Sequence, residues 1–147
     1  MRAPLEPSRS LEAHRIYVVE SDEVVRSALQ FILGDHDETN GFASLGQAVA
    51  DPSRLPPDVL LLGVGFVQNN GERLLAEIAQ HWPGVKILIV ADSVTDRVAS
   101  ASLRWGAHDV LGKPITFDGV RRKVDALLAD SETSPALLAL LPRSAAW

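Results

Sequence analysis

The feature of this chain that most constrains its fold is a set of short apolar runs that do not alternate with polar residues. Arg15-Ile16-Tyr17-Val18-Val19, Val59-Leu60-Leu61-Leu62, Val85-Lys86-Ile87-Leu88-Ile89-Val90 and Asp109-Val110-Leu111 have the length of strands. Their continuous hydrophobicity calls for burial on both faces, as in a parallel sheet covered by helices. A weaker strand is expected over residues 38–42. Between the runs apolar residues recur at helical spacing. Helices are predicted over residues 23–33, closed by Gly34, over 71–82 with Leu74, Leu75 and Ile78 on one side, and over 95–105. Another is predicted over 117–128, where Phe117, Val120, Val124 and Leu127 share a face, and a short one near 47–50. Five such alternations predict a doubly wound α/β domain with a five-stranded parallel sheet and right-handed crossovers. In that architecture the functional crevice lies beyond the carboxyl ends of the strands.

The 147 residues hold one such core with short tails. Residues 1–13, with prolines, serines and scattered charges, read as a flexible tail, and 14–130 as the domain. Residues 131–147 read as an apolar tail: Ala136-Leu137-Leu138-Ala139-Leu140-Leu141 precedes Pro142 and ends near Trp147. That segment is expected either to fold back on the domain or to dock on a second chain. A net charge of -5 argues against direct nucleic-acid binding, because phosphate neutralisation needs clustered Lys and Arg. The one compact basic run, Arg121-Arg122-Lys123, points in three directions on a helix. The absence of cysteine excludes disulfides, thiol nucleophiles and Cys-ligated zinc, and fits a reducing cytoplasm. Residues 1–10 lack the apolar core of a signal peptide, and no run has the length of a membrane span. A cytoplasmic protein without membrane contact is expected.

Three motifs, in order, carry a family resemblance. Ile16-Tyr17-Val18-Val19-Glu20-Ser21-Asp22 is followed by Val25-Arg26. Pro56-Pro57-Asp58-Val59-Leu60-Leu61-Leu62 is followed by Gly71-Glu72-Arg73-Leu74-Leu75. The third is Arg104-Trp105-Gly106-Ala107-His108-Asp109-Val110-Leu111-Gly112-Lys113-Pro114. Together they resemble the receiver domains of two-component response regulators, over about residues 14–130. The resemblance implies a flavodoxin-like (βα)5 fold. It also implies a phosphoryl-accepting aspartate at the end of the third strand and acidic residues after the first strand that hold Mg²⁺. Here the acceptor position falls on Gly63, and the acidic pair on Glu20 and Ser21, with Asp22 adjacent. Asp58 begins the third strand and lies at the wrong edge for an acceptor. The hydroxyl residue that would meet a phosphoryl group aligns with Val90, and the aromatic switch residue of the fifth strand with Val110. Lys113 and Pro114 match the family, whose bond between them is cis. Without phosphate, Lys113 is expected either to pair with Glu20 or Asp22 or to mark a remnant anion site.

Glu20, Ser21, Asp22, Gly63, Val90 and Lys113 are thus expected to form a degenerate phosphorylation pocket, with no catalytic residue, no metal and no cofactor. Asp22 also reads as a cap of the first helix. Asp35-His36-Asp37-Glu38 reads as a solvated loop, because adjacent ligands do not converge on one metal. His14, His81 and His108 are isolated, and no phosphate-cradling glycine loop follows the first strand. A protein-contact surface is expected at Arg97, Arg104, Trp105, His108 and Val110. Trp105 reads either as an interface anchor or as a residue packed on its own domain. The expected function is that of a phosphorylation-independent adaptor or dimerising module, not an enzyme. Its partner would be a second copy, a histidine kinase or another regulator, met through the helix over 95–105, the fifth strand and the last helix, or through the tail. The alternatives are a sensor of a small anion or metabolite and the receiver portion of a transcriptional regulator.

Overall fold

The computed structural model describes residues 14–132. The elements in order are β1 (Arg15–Val19), α1 (Glu23–Leu33), β2 (Glu38–Phe42), α2 (Leu45–Val49), β3 (Val59–Gly63) and α3 (Val64–Asn70). They continue with α4 (Glu72–His81), β4 (Lys86–Ala91), α5 (Arg97–Arg104), β5 (Asp109–Gly112) and α6 (Phe117–Glu132). The strands form one five-stranded sheet in the order β2-β1-β3-β4-β5, with every pair parallel. This is the expected doubly wound fold. The chain winds one way from β1 to β2 and the other way from β3 onward, so a crevice opens where β1 and β3 part at their carboxyl ends.

The continuous hydrophobicity of the runs has a direct structural cause. All five residues of β3 are buried, and successive side chains point to opposite faces. Tyr17, Val19, Leu60, Leu62, Ile87 and Ile89 pack under the layer formed by α2 to α5. Ile16, Val18, Val59, Leu61, Leu88 and Val90 pack against α1 and α6. Each such side chain contributes about 1.5–3 kcal/mol when fully buried.

The helices start and stop for local reasons. Asp22 caps α1 by accepting the backbone N–H groups of Val24 at 2.9 Å and Val25 at 3.2 Å. Gly34 follows α1 in a right-handed conformation, with φ of -68°. Glycine is suited there because a Cβ would stand 2.9 Å from the Gln30 carbonyl oxygen. Residues 64–70, read from the sequence as a connection, form helix α3. A seven-residue segment with Gly65 inside and Gln68-Asn69-Asn70 at its end is too short to show periodicity. Its one signal is the pair Val64 and Val67, three apart, of which Val67 is buried in the core. Gly71 breaks the chain between α3 and α4 with φ of 74°, a conformation other residues adopt only with strain. Residues 1–13 and 133–147 lie outside the described residues; they hold the expected N-terminal tail and all of the expected C-terminal one except residues 131 and 132, which belong to α6. Among the described residues no helix is long and apolar enough to cross a membrane.

Candidate functional site

The carboxyl ends of β1, β3, β4 and β5 surround a cleft of about 260 Å³, lined among others by Glu20, Ser21, Gly63, Val90, Asp92 and Lys113. Five of the six residues expected in the pocket are therefore together. Asp22 is not among the lining residues, and its carboxylate is spent on the α1 cap. Asp92 was missed, although it is the residue directly after β4 and so stands where this architecture puts functional groups. The sequence reading ended that strand at Val90, whereas the ladder runs one residue further, to Ala91 opposite Gly112.

Glu20 follows β1 and is held on three sides. Its N–H donates to the Phe42 carbonyl at 3.0 Å, its own carbonyl accepts from Arg26 Nη1 at 2.6 Å, and Oε2 accepts the Asp22 N–H at 2.9 Å. Its Oε1 lies 2.7 Å from where a Cβ on Gly63 would be. The Glu20 carboxylate therefore occupies room that a side chain on Gly63 would enter. A swing of that flexible group would make way for one.

Lys113 pairs with neither Glu20 nor Asp22. Its Nζ sits 3.0 Å from Asp92 Oδ1. The reason is strand order: Asp92 and Lys113 continue the neighbouring strands β4 and β5, and Lys113 N–H donates to the Ala91 carbonyl at 3.1 Å. Glu20 follows β1, and β3 and β4 stand between that strand and β5. The Lys113–Pro114 peptide is cis. With Glu20 and Asp92 against Lys113, the ionised side chains of the crevice sum to one negative charge. The magnesium ion that the resemblance implies fits these residues poorly, because the lining offers only the carboxylates of Glu20 and Asp92, and Asp92 is paired with the Lys113 cation.

The residues expected at a partner surface divide. Arg97, Arg104 and His108 are exposed. Trp105 is half-buried, ends α5 and packs with Val98 against the core, the second of its two readings. Val110 is only 4% exposed, so it belongs to the core and is unavailable to a partner. β5 is an edge strand, but an edge exposes backbone, whereas helices cover the side chains on both faces. His108 extends the sheet by one rung: its N–H donates to the Ile87 carbonyl at 2.8 Å, and Nδ1 accepts the Ile87 N–H at 3.0 Å. Desolvation, reinforced by Lys86, holds its pKa below 6.5.

The opposite end of the sheet carries a charge cluster that the sequence reading took for a solvated loop. The Asp37 side chain is 4% exposed and lies 3.1 Å from Arg121 Nη1, with His14 Nδ1 at 3.9 Å. Arg121 also meets Asp125, and Lys123 reaches Asp109 at 3.1 Å. The basic run does diverge in direction, but two of its three members are structural. His36, next to Asp37, is exposed as expected.

The model of the response regulator receiver domain family matches residues 16–125, and this chain belongs to that family. It is 28% identical over 135 residues to the DNA-binding transcriptional activator DevR/DosR of Mycobacterium tuberculosis, covering 86% of this chain and 62% of that protein. It is 33% identical over 114 residues to a protein-glutamate methylesterase/protein-glutamine glutaminase of Rhodospirillum centenum, covering 74% of this chain and 29% of that protein. The chain spans 62%, 48% and 48% of the length of three curated relatives. Among solved structures, a response regulator from Thermotoga maritima superposes with a TM-score of 0.70 at 19% identity, covering 80% of this chain and 98% of the other. NtrX from Brucella abortus superposes with a TM-score of 0.77 at 24% identity, covering 90% of this chain and 30% of the other. At those identities the structures speak for the fold alone, which is the flavodoxin-like receiver fold.

Proposed function

We propose that this chain is a receiver domain that signals by binding in a preset conformation, without accepting a phosphoryl group. One observation carries the reading: the residue that ends β3 in the crevice is Gly63, which has no side chain to phosphorylate. Asp58 is no substitute. It lies at the amino end of the same strand, where Oδ2 accepts the Arg15 N–H at 2.8 Å. Val90 cannot hydrogen-bond a phosphoryl group, and Val110 cannot act as an aromatic relay. Lys113, the cation such a group would meet, is engaged by Asp92. The domain would span residues 14–130 with tails on either side, and would serve as an adaptor or dimerising module, not an enzyme. Arg97, Arg104 and His108, beside Trp105, supply the exposed side chains for a second copy, a histidine kinase or another regulator.

The test is incubation with acetyl phosphate and with a histidine kinase, followed by phosphate-affinity electrophoresis and intact mass. No acid-labile adduct is expected, and stoichiometric incorporation would sink the reading. Light scattering across a concentration series checks the dimerising role, and a monomer throughout counts against it.

The sensor alternative draws on the 260 Å³ cleft. Its charge disfavours an anion, since Glu20 and Asp92 outnumber Lys113; a thermal shift with phosphate or a nucleotide would revive it. The reading as part of a transcriptional regulator draws on the longer relative named as a DNA-binding activator. The mass of the native protein decides it.

A further inference from the structure

The face of the sheet under α2 to α5 is unevenly roofed. α2 has five residues, about 7.5 Å of helix. It lies over β1 and β2, also of five residues each, which extend about 16 Å. The connection over residues 50–58 completes the roof without a helix. Two adjoining recesses of about 240 and 320 Å³ remain between α2 and the end of α4, and both are lined by Val49, His81 and Trp82.

In this groove the recess against α4 is mainly apolar, the one beneath residues 51–56 mixes apolar and charged side chains, and the base of both is firmly built. Tyr17, Ile78 and Trp82 at its base are buried, while Val49 and Leu55 beside it are 39% and 59% exposed. Trp82 meets Tyr17 edge-on at 5.5 Å. Tyr17 Oη donates to the Leu55 carbonyl at 2.6 Å and pins the lower lip. Glu77 contributes a carboxylate to the first recess, and Asp51, which accepts from Ser53, stands in the second together with Arg54, whose guanidinium lies over the Phe42 ring.

The rest of the chain holds a segment of matching chemistry. Residues 136–141 include four leucines and no polar residue, and Arg143 follows close behind. α6 ends at Glu132, and its Asp130 lies 3.7 Å from Lys86, the first residue of β4. The turn just before Lys86, closed by Val85 N–H on the Trp82 carbonyl at 3.1 Å, leads back to the groove. α6 therefore leaves the sheet at the same end as Trp82. Thr133-Ser134-Pro135 spans up to about 10 Å, one layer spacing, enough to carry the chain from α6 to the end of the sheet, and six further residues add up to about 20 Å of reach toward the groove on the other face.

We propose that residues 136–141 dock in the α2–α4 groove of their own chain. The leucines cover Val49, Leu55 and Trp82, and Arg143 comes to lie by the carboxylate of Glu77, in the recess without Lys or Arg. Docking takes the apolar side chains of groove and segment out of water together.

The chain has no cysteine, so engineered pairs report cleanly. Under mild oxidation of the full-length protein, Val49→Cys with Leu138→Cys should form an intrachain disulfide at least about tenfold faster than Val24→Cys with Leu138→Cys, because docking raises the local thiol concentration. Val24 is 78% exposed on α1, against the other face of the sheet. Equal rates would overturn the proposal, and a predominantly interchain product would assign the groove to the segment of a second copy. Hydrogen exchange on the unmodified chain gives an independent reading. Residues 136–141 should exchange at least about tenfold slower than a free chain, and Leu55→Asp, at an exposed position, should remove that protection. Exchange at the free-chain rate, or protection indifferent to Leu55→Asp, also counts against docking here.

Discussion

The two ends of the sheet treat charge differently. At the amino ends of the strands one charged pair is nearly buried, with Asp37 and Arg121 side chains 4% and 13% exposed, more exposed pairs surround it, and Asp58 accepts the Arg15 N–H. At the carboxyl ends, the crevice holds one ion pair, and both partners reach water, Lys113 at 37% and Asp92 at 89% exposed. A buried charge that loses its partner is expensive, whereas an exposed pair contributes little. The end that receivers use for signalling is thus loosely held, and the structural electrostatics sit at the other end. The exposed pair can therefore be exchanged at little cost to the fold, unlike the buried Val90 and Gly63 beside it.

The comparison is most exposed to failure at Asp37. Asp37→Ala should cost about 3 kcal/mol in urea unfolding, toward the lower end for a broken buried pair because Arg121 keeps Asp125. A loss below about 1 kcal/mol would erase the difference between the two ends. Asp22→Ala, near the crevice but acting on α1, should cost about 1 kcal/mol through the lost cap.

Acidification sharpens the same contrast at the amino end. The pKa of His108 is lowered by desolvation, so the folded state binds its proton less readily than the unfolded chain does. Its contribution to stability is complete above pH 6.5 and is lost as pH falls through the depressed folded value. His108→Asn, which keeps an acceptor for the Ile87 N–H, should lose less stability on acidification than the native chain when unfolding is measured at several pH values. The smallest effect is expected in the crevice: Lys113→Met should change stability by less than about 0.5 kcal/mol by the same urea measurement.

The strands and main helices were legible in the sequence because burial on two faces and helical periodicity both leave local patterns. β1 and β2 fall on their expected residues, and α4 falls within one residue of its prediction at each end. α3 was not legible, because seven residues hold too little periodicity to stand out from a loop. In the crevice, Glu20, Ser21, Gly63, Val90 and Lys113 were identifiable through the family resemblance, whose motifs place them at or near strand ends. Asp92 was lost to a strand boundary misplaced by one residue. Val110 was assigned to a surface because the expected contact face ran through the fifth strand, whereas its exposure depends on the helices packed above and below it.

By itself the sequence determined a parallel sheet covered on both faces and a glycine where that sheet opens into its crevice, since apolar continuity and residue identity are local properties. Only the tertiary structure decided that Lys113 turns to Asp92, that Glu20 fills the room beside Gly63, and that Asp37 is buried against Arg121. Each of those contacts joins segments far apart in the chain or side chains in loops, and strand order, not local pattern, sets which groups come within reach.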